Sequence, residues 1–143
     1  MAHAQQSVLI VDESSETREV LQTVLERRGV HTLSAARTEI GLQLAQQHHP
    51  DLIVLDLDTF DAPEQLVGRV TDLSHQARYQ PRMVLLGSLR GWHGRRPEGE
   101  FVSKPYHYGP LIRRIEELLG HYQETPGRAD VVRDSRDRSG QPL

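Results

Sequence analysis

The sequence predicts an α/β protein, a parallel sheet covered by helices on both faces. Short continuous apolar runs, as expected of strands buried on both sides, recur along the chain. Stretches with apolar residues at helical spacing separate them, and that alternation is what builds a parallel sheet with crossover helices. The 143 residues are enough for one ordinary domain with a real core.

The elements follow in order. Ser7–Val11 is a short apolar run and the first strand. Ser14 and Ser15 offer an N-cap, and Val20, Leu21, Val24 and Leu25 recur at helical spacing. Arg27 and Arg28 close that helix, and Gly29 stops it. Val30–Ser34 reads as a weaker second strand. Thr38 could cap a second helix with Ile40 and Leu44 inward, ending before Pro50. Leu52–Leu55 is the clearest strand. A loop with Asp61 and Pro63 then leads into a helix carrying Leu66, Val67, Val70 and Leu73. Met83–Leu86 and Phe101–Ser103 are the fourth and fifth strands. Pro110 opens the last helix, whose Leu111, Ile112, Ile115, Leu118 and Leu119 form one apolar face before Gly120.

Composition narrows the classes. The formal charge of -3 gives no global reason to expect nucleic acid or an anionic membrane as partner. The chain has no cysteine, which excludes disulfides and thiol chemistry and fits a reducing cytoplasm. Its first six residues are polar, without the basic-then-apolar order of a signal peptide, and no apolar run approaches the length of a membrane span. The eight histidines show no metal-ligand spacing, which argues against zinc. Residues 1–6 read as an N-terminal tail and 7–122 as the domain. Residues 123–143 mix Arg, Asp, Pro and Gly with little to bury, and are expected to be a disordered tail.

The chemistry gathers where the strands end. Asp12-Glu13 follow the first strand, Asp56 the third, Gly87-Ser88 the fourth and Lys104-Pro105 the fifth. In an open α/β sheet, ligands bind outside the carboxyl ends of the strands, so these groups can converge on one site. The pattern from about Val8 to Leu119 resembles the receiver domain of two-component response regulators. Pro50-Asp51-Leu52-Ile53-Val54-Leu55-Asp56 is similar to that family's third-strand signature.

The resemblance implies a flavodoxin-like (βα)5 fold with strand order 2-1-3-4-5, and it assigns roles. Asp56 takes the place of the phosphorylated aspartate, a carboxylate nucleophile forming an aspartyl phosphate. Asp12 and Glu13 match the acidic pair that holds Mg²⁺ with Asp56, although the family pair is most often Asp-Asp. The backbone carbonyl of Asp58 would be a further ligand, and hard oxygen donors suit this ion. Without the resemblance, Asp12 and Glu13 would simply favour the positive end of the following helix. Lys104, the only lysine in the chain, matches the lysine that pairs with the acceptor carboxylate and then with the phosphoryl group. Its following peptide bond is often cis in the family. Phe101 stands where the family has a rotating aromatic; an ordinary core phenylalanine would look the same.

The sequence departs from the family at two places. Receivers carry Thr or Ser at the end of strand four, where this chain has Gly87-Ser88. The plain register puts Gly87 there, without a hydroxyl; a one-residue bulge would put Ser88 there. Gly87, Ser88 and Lys104 are the expected phosphate contacts. Secondly, three glycines and a proline between Ser88 and Lys104 argue that the family's fourth helix is shortened or replaced by a loop.

The expected function is that of a stand-alone cytoplasmic receiver. A histidine kinase or histidine phosphotransfer protein would donate the phosphoryl group, and output would pass to another protein, with a homodimer possible. Such a domain is not a metabolic enzyme; it speeds only its own phosphorylation and dephosphorylation. Asp58 would add negative charge beside the phosphoryl group and alter its lifetime. One rival is a degenerate receiver that binds partners without phosphorylation. Another is a haloacid-dehalogenase-type phosphohydrolase, in which Asp56 of Asp56-Leu57-Asp58-Thr59 is the nucleophile and Asp58 the acid-base. A complete strand and helix before Asp56 count against the latter.

Overall fold

The computed structural model describes residues 5–58, 63–88 and 98–120. The chain runs β1 (Ser7–Val11), α1 (Ser15–Arg27), β2 (His31–Ala35), α2 (Thr38–His48), β3 (Leu52–Asp56), α3 (Pro63–Ala77), β4 (Arg82–Leu86), β5 (Glu100–Val102) and α4 (Tyr108–Leu118). All five strands are parallel in the order β2-β1-β3-β4-β5. This is the flavodoxin-like order expected. Its winding reverses between the neighbours β1 and β3, which opens a crevice at their carboxyl ends.

Alternation along the strands divides the core in two. Val8, Ile10, Leu52, Val54, Val84 and Leu86 face α1 and α4, meeting Leu21, Leu25, Ile112 and Ile115. Leu9, Val11, Ile53, Leu55, Met83 and Leu85 face α2 and α3, meeting Leu42, Ala45, Val67 and Val70. Burying one such aliphatic side chain contributes about 1.5–3 kcal/mol relative to exposure, so this double alternation fixes the strand register. β1 and β3 are buried on both faces and therefore read as unbroken apolar runs.

Helix ends follow local chemistry. Ser14 caps α1, its hydroxyl accepting from the Thr17 N–H at 3.2 Å, and Gly29 at φ +85° takes the left-handed turn that ends it. In α2 the N-cap position is Arg37, without a side-chain cap hydrogen bond, and Thr38, expected as the cap, is the first helical residue. Its inward face is Gly41, Leu42 and Ala45; Leu44 is half-buried, and Ile40, expected inward, is exposed. The cause is close approach, since a Cβ on Gly41 would lie 2.9 Å from Val11 Cγ2. α4 begins at Tyr108, so Pro110 lies within its first turn rather than opening it. β2 and β5 are each displaced by one residue from the expected runs.

Among the described residues there are four helices, and none lies between β4 and β5. Residues 89–97, where a loop was expected in place of a fourth helix, lie outside the described residues. So do Asp61 and the tail at 123–143. No described helix is long and apolar enough to cross a membrane.

Candidate functional site

The crevice is built from the ends of β1, β3, β4 and β5. Asp12 follows β1 directly, and its N–H donates to the Ala35 carbonyl at 3.1 Å. Arg18 on α1 donates to the Asp12 and Glu13 carbonyls at 2.7 and 3.2 Å, which fixes the loop. The Asp12 side chain is buried, and its Oδ1 accepts from the Ser14 N–H at 2.8 Å. Its Oδ2 is buried with no hydrogen-bond partner. Burial pushes the carboxyl up to about 6; the Ser14 N–H opposes the shift, and the charge and hydrogen bonding of nearby Asp56 add to it.

Asp56 is the last residue of β3, opposite Leu86 of β4. It is only 2% exposed. Its two carboxylate oxygens have different partners: Oδ1 accepts from the Asp58 N–H at 2.9 Å, and Oδ2 from Lys104 Nζ at 2.7 Å. Lys104 lies just past β5, and its bond to Pro105 is cis. Burial works against its charge. The hydrogen bond to Asp56 and the charges of Asp56, Asp58 and Asp12 outweigh that and hold the ammonium above its ordinary value. The site therefore favours the cationic form of Lys104.

The end of β4 differs. The β3–β4 ladder runs without a bulge from Leu52 opposite Arg82 to Asp56 opposite Leu86, so Gly87 comes directly after the strand. Its N–H donates to the Val102 carbonyl at 2.9 Å. Gly87 has φ +118°, which L side chains rarely adopt, and a Cβ there would meet all three carboxyl atoms of Asp58 at 2.6–2.7 Å. The Asp58 carboxylate also accepts from the Ser88 N–H at 3.3 Å and lies 3.6 Å from Lys104 Nζ. Residue reasoning placed Asp58 here through its backbone carbonyl and missed the engagement of its side chain with the end of β4. The signal was available in the register: with Asp56 opposite Leu86, residues 58 and 88 come to lie at adjacent strand ends.

The site suits a hard divalent cation. A buried carboxylate oxygen without a partner, on a group whose ionised form burial and Asp56 disfavour, gains most from a cation between the two carboxylates. Glu13 is exposed, and among the described residues no three His, Cys, Asp or Glu side chains draw together into a ready metal cluster. Magnesium does not need one, because it commonly keeps several waters. Phe101 is in the middle of β5, half-buried and packed against the core on the α2–α3 side. A cavity of about 460 Å³ lies elsewhere, near the amino end of β4 between Val67, Val70, Arg82 and Met83, and does not include the site residues.

Comparison with known proteins agrees with this geometry. A family model described as response regulator receiver domain matches residues 8–59. The polar-differentiation response regulator DivK of Brucella ovis is 25% identical over 118 residues, covering 80% of this chain and 96% of that protein. A protein-glutamate methylesterase/protein-glutamine glutaminase of Nitratidesulfovibrio vulgaris is 36% identical over 84 residues, but these make up only 22% of its length. Among solved structures, the chemotaxis protein CheY4 of Vibrio cholerae superposes with a TM-score of 0.62 at 20% identity, covering 80% of this chain and 99% of that one. The receiver domain of a putative LuxO repressor protein from Vibrio parahaemolyticus gives a TM-score of 0.65 at 18% identity, covering 82% and 92%. The family signature through β3, relatives along most of the chain and the shared strand order point one way: this chain resembles the response regulator receiver domains and has their fold.

Proposed function

We propose that this receiver accepts a phosphoryl group on Asp56 from a phosphohistidine of a histidine kinase or phosphotransfer protein, and that it works in the cytoplasm. The observation that carries the reading is the pair of Asp56 and Lys104 at 2.7 Å beside the buried, unpartnered Asp12 oxygen. A carboxylate oxygen of Asp56 attacks phosphorus, the P–N bond of the donor breaks, and the imidazole nitrogen keeps the electron pair and takes a proton. The Asp58 N–H fixes the Asp56 carboxylate during the attack. Lys104 passes from that carboxylate to a phosphoryl oxygen, supplying charge where it builds up. Asp12, Glu13, Asp56 and the Asp58 carbonyl are the groups that would hold Mg²⁺, which would neutralise charge between the carboxylates and the incoming group. Output is a change of affinity for another protein.

A degenerate receiver, binding partners without phosphorylation, is favoured by one observation: Gly87 brings no hydroxyl to the end of β4. The two readings separate by intact mass after incubation with acetyl phosphate. An adduct of one phosphate that needs Mg²⁺ and is lost in Asp56→Asn is the expected result. No adduct, with a known receiver labelled in parallel, would leave the degenerate reading.

A further inference from the structure

Asp58 and Gly87 make one device. The carboxylate stands in the space that any side chain at position 87 would fill, at 2.6–2.7 Å from an added Cβ. There it takes the Ser88 N–H at 3.3 Å and lies 3.6 Å from the Lys104 ammonium. Those are donors that an anion arriving on Asp56 would use. We propose that the Asp58 side chain is a resident anion in the phosphoryl pocket, a gate that must swing out before Asp56 takes up a phosphoryl group. This inference rests on the assignment of Asp56 as phosphoacceptor.

Three things support the gate. Position 87 must be glycine while Asp58 stands over it, and Asp58 can stand there because 87 is glycine; neither residue accounts for its neighbour's space without the other. Charge gives the second argument. Asp12, Asp56 and Asp58 all act on the one Lys104 ammonium, so an incoming phosphoryl dianion meets a carboxylate already in its place. The third is freedom to move. The Asp58 side chain is 43% exposed, whereas that of Asp56 is 3% exposed. Water can receive the first when it leaves, and the second stays.

Two measurements test the gate. The first is the initial rate of phosphate-adduct formation with acetyl phosphate at saturating Mg²⁺. Asp58→Asn keeps the shape and removes the charge, and should label about two- to fivefold faster than the unaltered chain, the scale of one like-charge contact at a partly exposed site. Equal or slower labelling, with the unaltered chain labelled normally, overturns the gate and leaves Asp56 as acceptor. If neither chain labels while a known receiver does, the acceptor assignment falls and the gate falls with it. The second is thermal unfolding of Gly87→Ala in the Asp58 and Asp58→Gly backgrounds. The strain of a positive φ is common to both and cancels in the cycle. The expected result is a modestly larger drop in midpoint in the Asp58 background, the cost of displacing a carboxylate that is free to leave into water. Equal drops mean that displacing the carboxylate costs nothing, so nothing holds it in that space, and overturn the proposal. Should Gly87→Ala unfold both backgrounds, the rates decide, since they need Asp58 variants only.

Discussion

The ends of β3 and β4 lie side by side in one ladder, yet they carry opposite kinds of residue. At the end of β3, Asp56 is buried and held by a backbone N–H and a lysine. At the end of β4, Gly87 has no side chain, and a carboxylate from the β3 side fills its space. On the function proposed above, the first end would carry the transfer chemistry, and the second lacks the hydroxyl expected to read the result. The comparison teaches that the two tasks of the proposed function would sit on separate strands and could change separately. A nucleophile needs fixed charge partners, whereas a switch needs only a group that moves.

The largest effect should come from the β3 end. Lys104→Ala leaves Asp56 buried beside Asp12 without its cation, and removing one partner of a buried pair costs about 3 kcal/mol or somewhat less here, since Lys104 itself is partly exposed. Denaturant unfolding at neutral pH without metal measures it. A change under about 0.5 kcal/mol would mean that the pair carries little, and the contrast between the two strand ends would collapse.

Asp12 sharpens the comparison through pH. Its carboxyl is raised from 3.8 to about 6 in the folded chain, by burial first and then by Asp56. The native state therefore holds this proton more tightly than the unfolded state does. The contribution is fully present below about pH 3.8 and is lost as pH rises through 6. Asp12→Asn cannot ionise, so without metal it should match the parent near pH 4 and exceed it by about 1–3 kcal/mol above pH 7. Adding Mg²⁺ should stabilise the parent and leave Asp12→Asn nearly unchanged. A variant less stable than the parent at pH 7 without metal would reverse the sign and remove the argument for a cation there.

The smallest effect belongs to the β4 end. Ser88→Ala keeps the N–H that Asp58 accepts from, so phosphoryl uptake should stay within about twofold of the parent. A drop of about tenfold or more would make the Ser88 hydroxyl the missing arm, against the unbulged register.

Much of this was legible from residues alone. The apolar runs and the charged residues ending them are local signals, and they placed Asp12, Asp56 and Lys104 in the crevice. The less legible parts depend on contacts across the fold. Ile40 fits a helical stripe, but Gly41 sets which face of α2 approaches β1. Glu116 lies outside the apolar face predicted for the last helix, yet it is buried and paired with Arg28 from the end of α1. The Asp58 carboxylate looked like added charge beside a phosphate. Its contact with Gly87 appears only when the ends of β3 and β4 are side by side.

The most direct test of the account is to find which aspartate carries the phosphate. The chain is incubated with Mg²⁺ and acetyl phosphate and treated with borohydride, which reduces an aspartyl phosphate to homoserine. The peptide spanning Asp51 to Asp58 is then sequenced by mass spectrometry. The account predicts homoserine at position 56, only when Mg²⁺ is present. Homoserine at 58, or at neither position while a known receiver is trapped in parallel, would contradict it.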